Sequence, residues 1–484
     1  MPTVTTPSGA LAGVALDGVD AYLGIPYAEP PARFQAPVAA APWQGVRDAT
    51  AFGPSAPQPV GGPFSGLVPG MAVAAQSEDC LTLNVWAPHD VERAPVLVWL
   101  HGGAFTIGGS SLDTYDAALL AAEQRVVVVS PNYRLGALGW LSGLPGVTPN
   151  CGLLDQLLAL RWVQDHVASF GGDPGSVTVV GESAGAGSVL HLLASPLAEG
   201  LLHQGIAQSP GVGQTLSAEQ GAAVSAALLA ALDGRHPVDV PLAELLAAQQ
   251  QAADAVAASV GAMPFHPTVD GAVLPVAPRT PGALAPLPLL AGTTAEEMRL
   301  FADPALAPLD TGTLAALLGP LLSAEARRPL AAEAVAAAVA SYPGDGVDRF
   351  AGVATDAVMR LPLADLLDRH ATAAPVFAYS FTWRACGAPR DVGACHGADL
   401  PFLFGTLDRS GWGEWLGDQD QAEGLSRAVR DAWASFARTG VPAAKGLPDW
   451  PPYDGQRLTM VLGRTVEVVA DPLAHARTRC APLR

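Results

Sequence analysis

Short runs of consecutive apolar residues alternate along this chain with longer segments whose apolar positions recur every three or four residues. Val96–Leu100 and Val126–Pro131 are apolar at nearly every position, the pattern of strands buried on both faces of a sheet. Leu81–Trp86, Val177–Val180, Leu287–Gly292 and Pro375–Trp383 are further strand candidates. Leu153, Leu157, Leu160, Val163, Val167 and Phe170 stand at helical spacings, so Leu153–Phe170 is expected to form an amphipathic helix that Gly171-Gly172 stops. Ala184–Ala194 and Gln421–Gly440 also read as helices. Ser217–Val260 and Leu314–Ala340 are alanine-rich with scattered leucines, so helix propensity is high while no apolar face is defined. No fixed period recurs, which argues against a repeat architecture. This alternation predicts an α/β fold with a mostly parallel central sheet flanked by helices.

Length alone suggests two or three domains, but large α/β folds absorb insertions, and residues 1–484 are read as a single domain. The alanine-rich stretches are read as cap-like helical insertions over about 213–345, interrupted by an acid-bearing strand and loop near 287–297. Met1–Asp20 is expected to be a small hairpin. Gly24 to Phe34 reads as an ordered extended loop, because aromatics interleave with its prolines. Pro54 to Gly70 reads as a mobile loop near a site mouth.

Composition narrows the function classes. Half of the 484 residues are hydrophobic and mean hydropathy is +0.28, which rules out a disordered chain. No 18 consecutive residues are apolar, so no membrane span is expected. The first residues lack a basic region followed by an apolar core and do not read as a signal peptide. The 45 acidic against 26 basic residues leave a formal charge of −19, which disfavours nonspecific nucleic-acid binding. Five cysteines, Cys80, Cys151, Cys386, Cys395 and Cys480, show no metal-ligand spacing, and a reducing, cytoplasmic setting is the simpler expectation. Cys386 and Cys395 are close enough in sequence to bridge a loop if the protein were exported. No His-Glu-x-x-His, paired Cys-x-x-Cys, ligand-spaced carboxylate cluster or phosphate-binding lysine motif occurs, so neither metal nor cofactor is expected.

The chemistry-bearing segments follow the strands. Gly181-Glu182-Ser183-Ala184-Gly185 comes directly after Val177–Val180 and before a helix, the context of a nucleophile elbow, and makes Ser183 the candidate nucleophile. His101-Gly102-Gly103-Ala104-Phe105 follows Val96–Leu100, and its glycines let backbone N–H groups approach a developing oxyanion. Gly103, Ala104 and Ala184 are the candidate donors. A Gly-Gly loop alone is more often only a tight turn; the elbow downstream reverses that balance. In this chain order the acid and then the histidine follow the serine, leaving His191, His203, His236, His266, His370, His396 and His475. His396 lies in a loop after a strand, where a base is expected, although a surface histidine explains it equally well. His191 lies too deep in the helix after the elbow. Glu296 and Glu297 follow the strand Leu287–Gly292. Chemistry alone does not separate these two acids, and a solvated charged turn is the blander account.

Read together, these segments resemble the type-B carboxylesterases, the cholinesterase-like branch of the α/β-hydrolases, and especially their bacterial para-nitrobenzyl-esterase-like members. Gly24-Ile25-Pro26-Tyr27-Ala28-Glu29-Pro30-Pro31, Ser77-Glu78-Asp79-Cys80-Leu81-Thr82-Leu83-Asn84-Val85-Trp86 and the His101–Phe105 segment carry the resemblance. Asn132-Tyr133-Arg134-Leu135-Gly136, Gly152-Leu153-Leu154-Asp155-Gln156, Phe170-Gly171-Gly172-Asp173-Pro174 and the elbow extend it over nearly the whole chain. It implies an α/β-hydrolase fold with Ser183 as nucleophile, Glu297 as the acid, and His396, followed by Asp399-Leu400 and Phe404-Gly405, as the base. The oxyanion donors implied are again Gly103, Ala104 and Ala184. Only one of the adjacent acids can reach His396, so Glu296 is expected to contribute little. Two departures stand out. Met298 replaces the glycine that usually follows the acid, so the loop is expected to bend differently and crowd the acyl pocket. The cysteine that often pairs with the one at Cys80 is missing, with Ala56 or a neighbour in its place, so Cys80 is expected to be unbridged.

The implied activity is hydrolysis of small-molecule carboxylic esters through an acyl-enzyme, without a cofactor. A carbamate, lactone or amide hydrolase would use the same triad. A non-catalytic interaction protein on this fold would have lost the nucleophile or base, and both are retained. The oligomeric state is left open by the sequence. For His396, a carboxylate partner raises the pKa and burial lowers it, so no sizeable net shift is expected.

Overall fold

The structure, a computed structural model, describes residues 1–59, 68–71, 73 and 75–484. Residues 60–67 of the loop expected at 54–70 therefore lie outside the described residues. Two strands, β1 (Thr3–Thr6) and β2 (Gly9–Ala12), form the hairpin expected at the start of the chain. The expectation stopped short, because β3 (Val14–Leu16) and β4 (Val19–Pro26) form a second hairpin that enters the main sheet, while β5 (Val46–Asp48) joins β2. The proline-rich loop therefore begins only after β4. Pro26 is tolerated as the last residue of that strand.

Among the described residues the main sheet has eleven strands. After β3 and β4 come β6 (Thr82–Pro88), β7 (Ala94–Leu100), β8 (Val127–Pro131), β9 (Gly172–Glu182), β10 (Gln204–Gln208), β11 (Leu289–Thr294), β12 (Val376–Phe381), β13 (Leu458–Leu462) and β14 (Val466–Ala470). Their spatial order is 14-13-12-11-10-9-7-8-6-4-3. The seven strands from β13 to β8 run parallel, with antiparallel partners at both ends. This is the α/β-hydrolase architecture, a largely parallel central sheet covered by helices.

The period-two alternation of each central strand feeds two separate apolar cores. Val96, Val98 and Leu100 join one cluster with Val127, Val129, Val177 and Val179, while Leu97, Trp99, Val128 and Val180 join the other. Helix Cys151–His166 lays Leu153, Leu157, Leu160 and Val163 on the first face, beside helix Ala184–Ala194. Helix Gln419–Thr439 covers the second face with Leu425, Val429, Trp433 and Phe436. Both-face burial is why these strands read as unbroken apolar runs.

The alanine-rich segments resolve into helices Ala218–Ala231 and Leu242–Val256 between β10 and β11, and Thr311–Ala326 and Ala332–Ala340 between β11 and β12. The latter pair forms a third apolar cluster together with Leu361 and the C-terminal Ala476, Cys480 and Leu483. The cysteines are all free thiols, Cys80, Cys386 and Cys395 included. Among the described residues no helix is long and apolar enough to cross a membrane.

Candidate active site

The parallel strands deliver their carboxyl ends to one edge of the sheet. Leu100 of β7 pairs with Gly181 of β9, and Glu182 pairs with Gln208 of β10. The segments that leave this edge carry Gly103, Ala104, Ser183, Glu297 and His396, as expected for the C-terminal edge of a parallel sheet. After β9 the chain reverses at Ser183, whose φ of 57° and ψ of −121° lie outside the regions that L residues favour. Such a conformation costs on the order of 1–3 kcal/mol. The turn closes only because Gly181 and Gly185 face each other: a Cβ at Gly181 would strike the Gly185 backbone, and one at Gly185 would strike the Leu100 carbonyl.

On the neighbouring loop, Gly103, Ala104 and Phe105 have φ of 116°, 54° and 60° in succession. This run of left-handed residues turns the loop back on itself, with Thr106 and Ile107 both donating to the Gly103 carbonyl. Among the described residues the Gly103 and Ala104 N–H groups find no protein acceptor. Gly102 lies against Glu182 and Ser183, where a Cβ would come within 3.1 Å of the Ser183 Cβ. His101 is buried and stacks on Tyr133, whose hydroxyl donates to the His101 carbonyl at 2.6 Å. Burial lowers its pKa to about 4, so it stays neutral and braces the loop.

Beyond β11, Glu297 opens a 3-10 turn, Glu297–Phe301, and is fully buried. Its Oε1 accepts from the Thr294 N–H at 2.8 Å and its Oε2 lies 2.6 Å from His396 Nδ1. His396 comes from the loop after β12, its side chain 13 % exposed. The acid and histidine singled out in the sequence are thus in direct contact. Met298, expected to crowd the acyl pocket, packs against the third apolar cluster, and its N–H donates to Thr355 Oγ1 at 3.0 Å. Several other histidines are engaged elsewhere: His191 Nδ1 and Nε2 bond Gly187 O and Thr215 Oγ1, His236 bonds Pro145 O, and His370 bonds Leu287 O.

One residue of the site escaped the sequence reading. Glu182, between the elbow glycine and Ser183, is buried, and its Oε1 lies 3.2 Å from His396 Nε2 without hydrogen-bond geometry. Its place beside the nucleophile was the available signal, but a strand residue before a turn is ordinarily taken as framework. Asp399 adds a third buried acid, its Oδ2 accepting from Gln208 Nε2 at 2.9 Å and the Tyr379 hydroxyl at 3.1 Å. Burial raises the Glu182 pKa to about 8, against the pull of His396. For His396, burial depresses the pKa, but Glu182 and then Glu297 outweigh it and bring it up to about 9. The expected cancellation therefore fails, because the sequence reading placed one carboxylate against the ring and the fold places two.

Among the described residues no group of three or more His, Cys, Asp or Glu side chains is arranged to hold a metal ion. The family model described as the carboxylesterase family matches residues 1–480. The chain is 37 % identical over 499 residues to the para-nitrobenzyl esterase of Bacillus subtilis (strain 168), covering 99 % of this chain and 98 % of that protein. It is 35 % identical to the phenmedipham hydrolase of Pseudarthrobacter oxydans, covering 97 % of each. A solved thermophilic para-nitrobenzyl esterase superposes with a TM-score of 0.88 at 36 % identity, over 99 % of both chains. A fold, a sheet-edge site and an end-to-end similarity that agree in this way make the chain a member of the carboxylesterase family, on its type-B, para-nitrobenzyl-esterase-like branch of the serine hydrolases.

Proposed function

We propose that this enzyme hydrolyses small-molecule carboxylic esters through an acyl-enzyme on Ser183, with His396 as general base and Glu297 as its orienting acid. The 2.6 Å contact between His396 Nδ1 and Glu297 Oε2 carries the reading. It sits on the same sheet edge as a serine held in the elbow conformation. With Nδ1–H donated to Glu297, the other ring nitrogen is free to accept the serine proton. Nε2 lies near Glu182, and the Ser183 hydroxyl makes no hydrogen bond to it; such bonds commonly tighten only when substrate binds.

As Oγ attacks the carbonyl carbon, the proton passes to Nε2 and the carbonyl oxygen takes negative charge. The unpaired N–H groups of Gly103 and Ala104, with that of Ala184 at the helix start, would meet this oxyanion. Collapse breaks the bond to the alcohol oxygen, which leaves with the proton from Nε2. Water, deprotonated by His396, then releases the acid and restores Ser183. The full-length similarity to a protein named para-nitrobenzyl esterase supports nitroaromatic esters as assay substrates, and p-nitrophenyl esters report the same acyl transfer with a coloured leaving group.

The test is hydrolysis of p-nitrophenyl acetate and butyrate by wild type and by Ser183→Ala, alongside labelling with a fluorophosphonate probe. Wild type is expected to label once, on Ser183, and Ser183→Ala to lose on the order of 10⁴-fold or more in kcat. Full activity in Ser183→Ala would overturn the proposal.

A further inference from the structure

Glu297 and His396 come from different loops, and side chains next to them hold those loops together. Glu296 N–H donates to the Ala394 carbonyl at 2.9 Å, and the Ala394 N–H donates back to Glu296 Oε2 at 2.9 Å. One residue thus grips both polar groups of another, two positions before the histidine. Gly393 has a φ of 62°, and a Cβ on it would overlap the Glu296 carboxylate, so the histidine loop is shaped to receive that carboxylate. Arg384 donates to Glu296 and, at 2.9 Å, to Asp391. Arg299, in the acid turn, reaches Asp391 at 2.8 Å and Asp348 at 2.6 Å. Asp391 Oδ1 in turn accepts from the Gly393 N–H at 3.1 Å.

We propose that Glu296, held by Arg384 and Arg299, which Asp391 braces in turn, is a positioning residue that sets His396 against Glu297. The proposal rests on the assignment of those two as base and acid. It replaces the solvated turn that the sequence suggested for Glu296. Exposed ion pairs of this kind contribute little to stability. Their leverage here is geometric, since displacing a reacting group by about 1 Å can cost about 10²-fold in rate. The groups facing His396 are Glu182 from β9, Glu297 and Phe301 from the acid turn, and Asp399 from the segment that follows it. Of these, Glu297 is the one whose distance to the ring depends on Glu296.

The experiment compares full-length wild type, Glu296→Ala, Glu296→Gln and Arg384→Gln on p-nitrophenyl acetate. Active sites are counted by end-point fluorophosphonate titration and melting is followed by circular dichroism. Glu296→Ala is expected to lose roughly 10²-fold in kcat per titrated site with KM nearly unchanged. Its acid limb in kcat/KM should move down, because Glu297 is no longer pressed against Nδ1. Glu296→Gln keeps an acceptor for the Ala394 N–H and should fall between Ala and wild type. Arg384→Gln should shift in the same direction by about tenfold or less.

Wild-type kcat and an unmoved limb in Glu296→Ala would overturn the proposal, as would a loss explained wholly by the folded fraction. Should Glu296→Ala not fold, wild-type behaviour of both Glu296→Gln and Arg384→Gln would overturn it equally. Ser183→Ala and Glu297→Gln separate the two levels. If both are inactive while Glu296→Ala is normal, the positioning role alone fails; if both are active, the triad assignment fails and takes the positioning role with it.

Discussion

His396 stands between two buried carboxylates, Glu297 on Nδ1 and Glu182 near Nε2. Burial works against the imidazolium, and the two acids more than offset it, leaving a pKa raised to about 9. The base is competent only when neutral, so activity is present above this pKa and lost as pH falls through it. For an uncharged acetate ester the acid limb of kcat/KM is therefore expected above the ordinary imidazole value of about 6.5. Glu182→Gln removes one facing anion and should move the limb down. A limb at or below about 5 in folded wild-type protein would point to a carboxylate as the base. At this scale the sequence was partly legible. Ser183 was readable because its conformation forces glycines at Gly181 and Gly185. Glu182 was not, because its role arises from a histidine more than 200 residues away.

Between elements, a buried ion pair ties the segment after β8 to helix Cys151–His166. Arg134 Nε and Nη2 donate to Asp155 at 2.8 and 2.6 Å, the Arg134 N–H adds a third bond at 3.0 Å, and the Asp155 side chain is fully buried. Both residues belong to segments that carried the family resemblance, and the part they play here is structural. Asp155→Ala strands the guanidinium and is expected to destabilise the protein by about 3–5 kcal/mol. An apolar pair, Arg134→Met with Asp155→Leu, should recover much of that loss. Denaturant midpoints of the two variants check the ranking, and equal midpoints for wild type and Asp155→Ala would refute it. The elements themselves were legible in proportion to their burial pattern. Leu153–Phe170 was found, its last turn tightening to a 3-10 turn at Val167–Phe170. The strand Gln204–Gln208 was missed, because Gln, Gly and Ala at four of its five positions hide a fully buried strand. The alanine-rich stretches could not be divided, because alanine favours helix everywhere and marks no face.

Across the whole molecule the formal charge of −19 sets a field that long-range encounters feel. Matched esters with anionic and cationic alcohol groups should respond oppositely to salt. From low ionic strength to about 0.5 M, kcat/KM should rise several-fold for the anionic ester and fall for the cationic one. A neutral ester serves as the reference, and identical slopes for all three would rule out steering by the net charge. The order of chemistry-bearing segments, each directly after a strand, was determined by the sequence itself. Strand burial, the elbow and the oxyanion loop are local requirements, written in apolar runs and in glycines that close contacts demand. What only the tertiary structure decided is which side chains converge. The resemblance already implied Glu297 beside His396, but Glu182 approaches the same ring and Glu296 grips the histidine loop because parallel pairing brings the ends of β9, β11 and β12 to one edge. Sheet register joins residues that lie about a hundred or more positions apart, and local propensity carries no record of that distance.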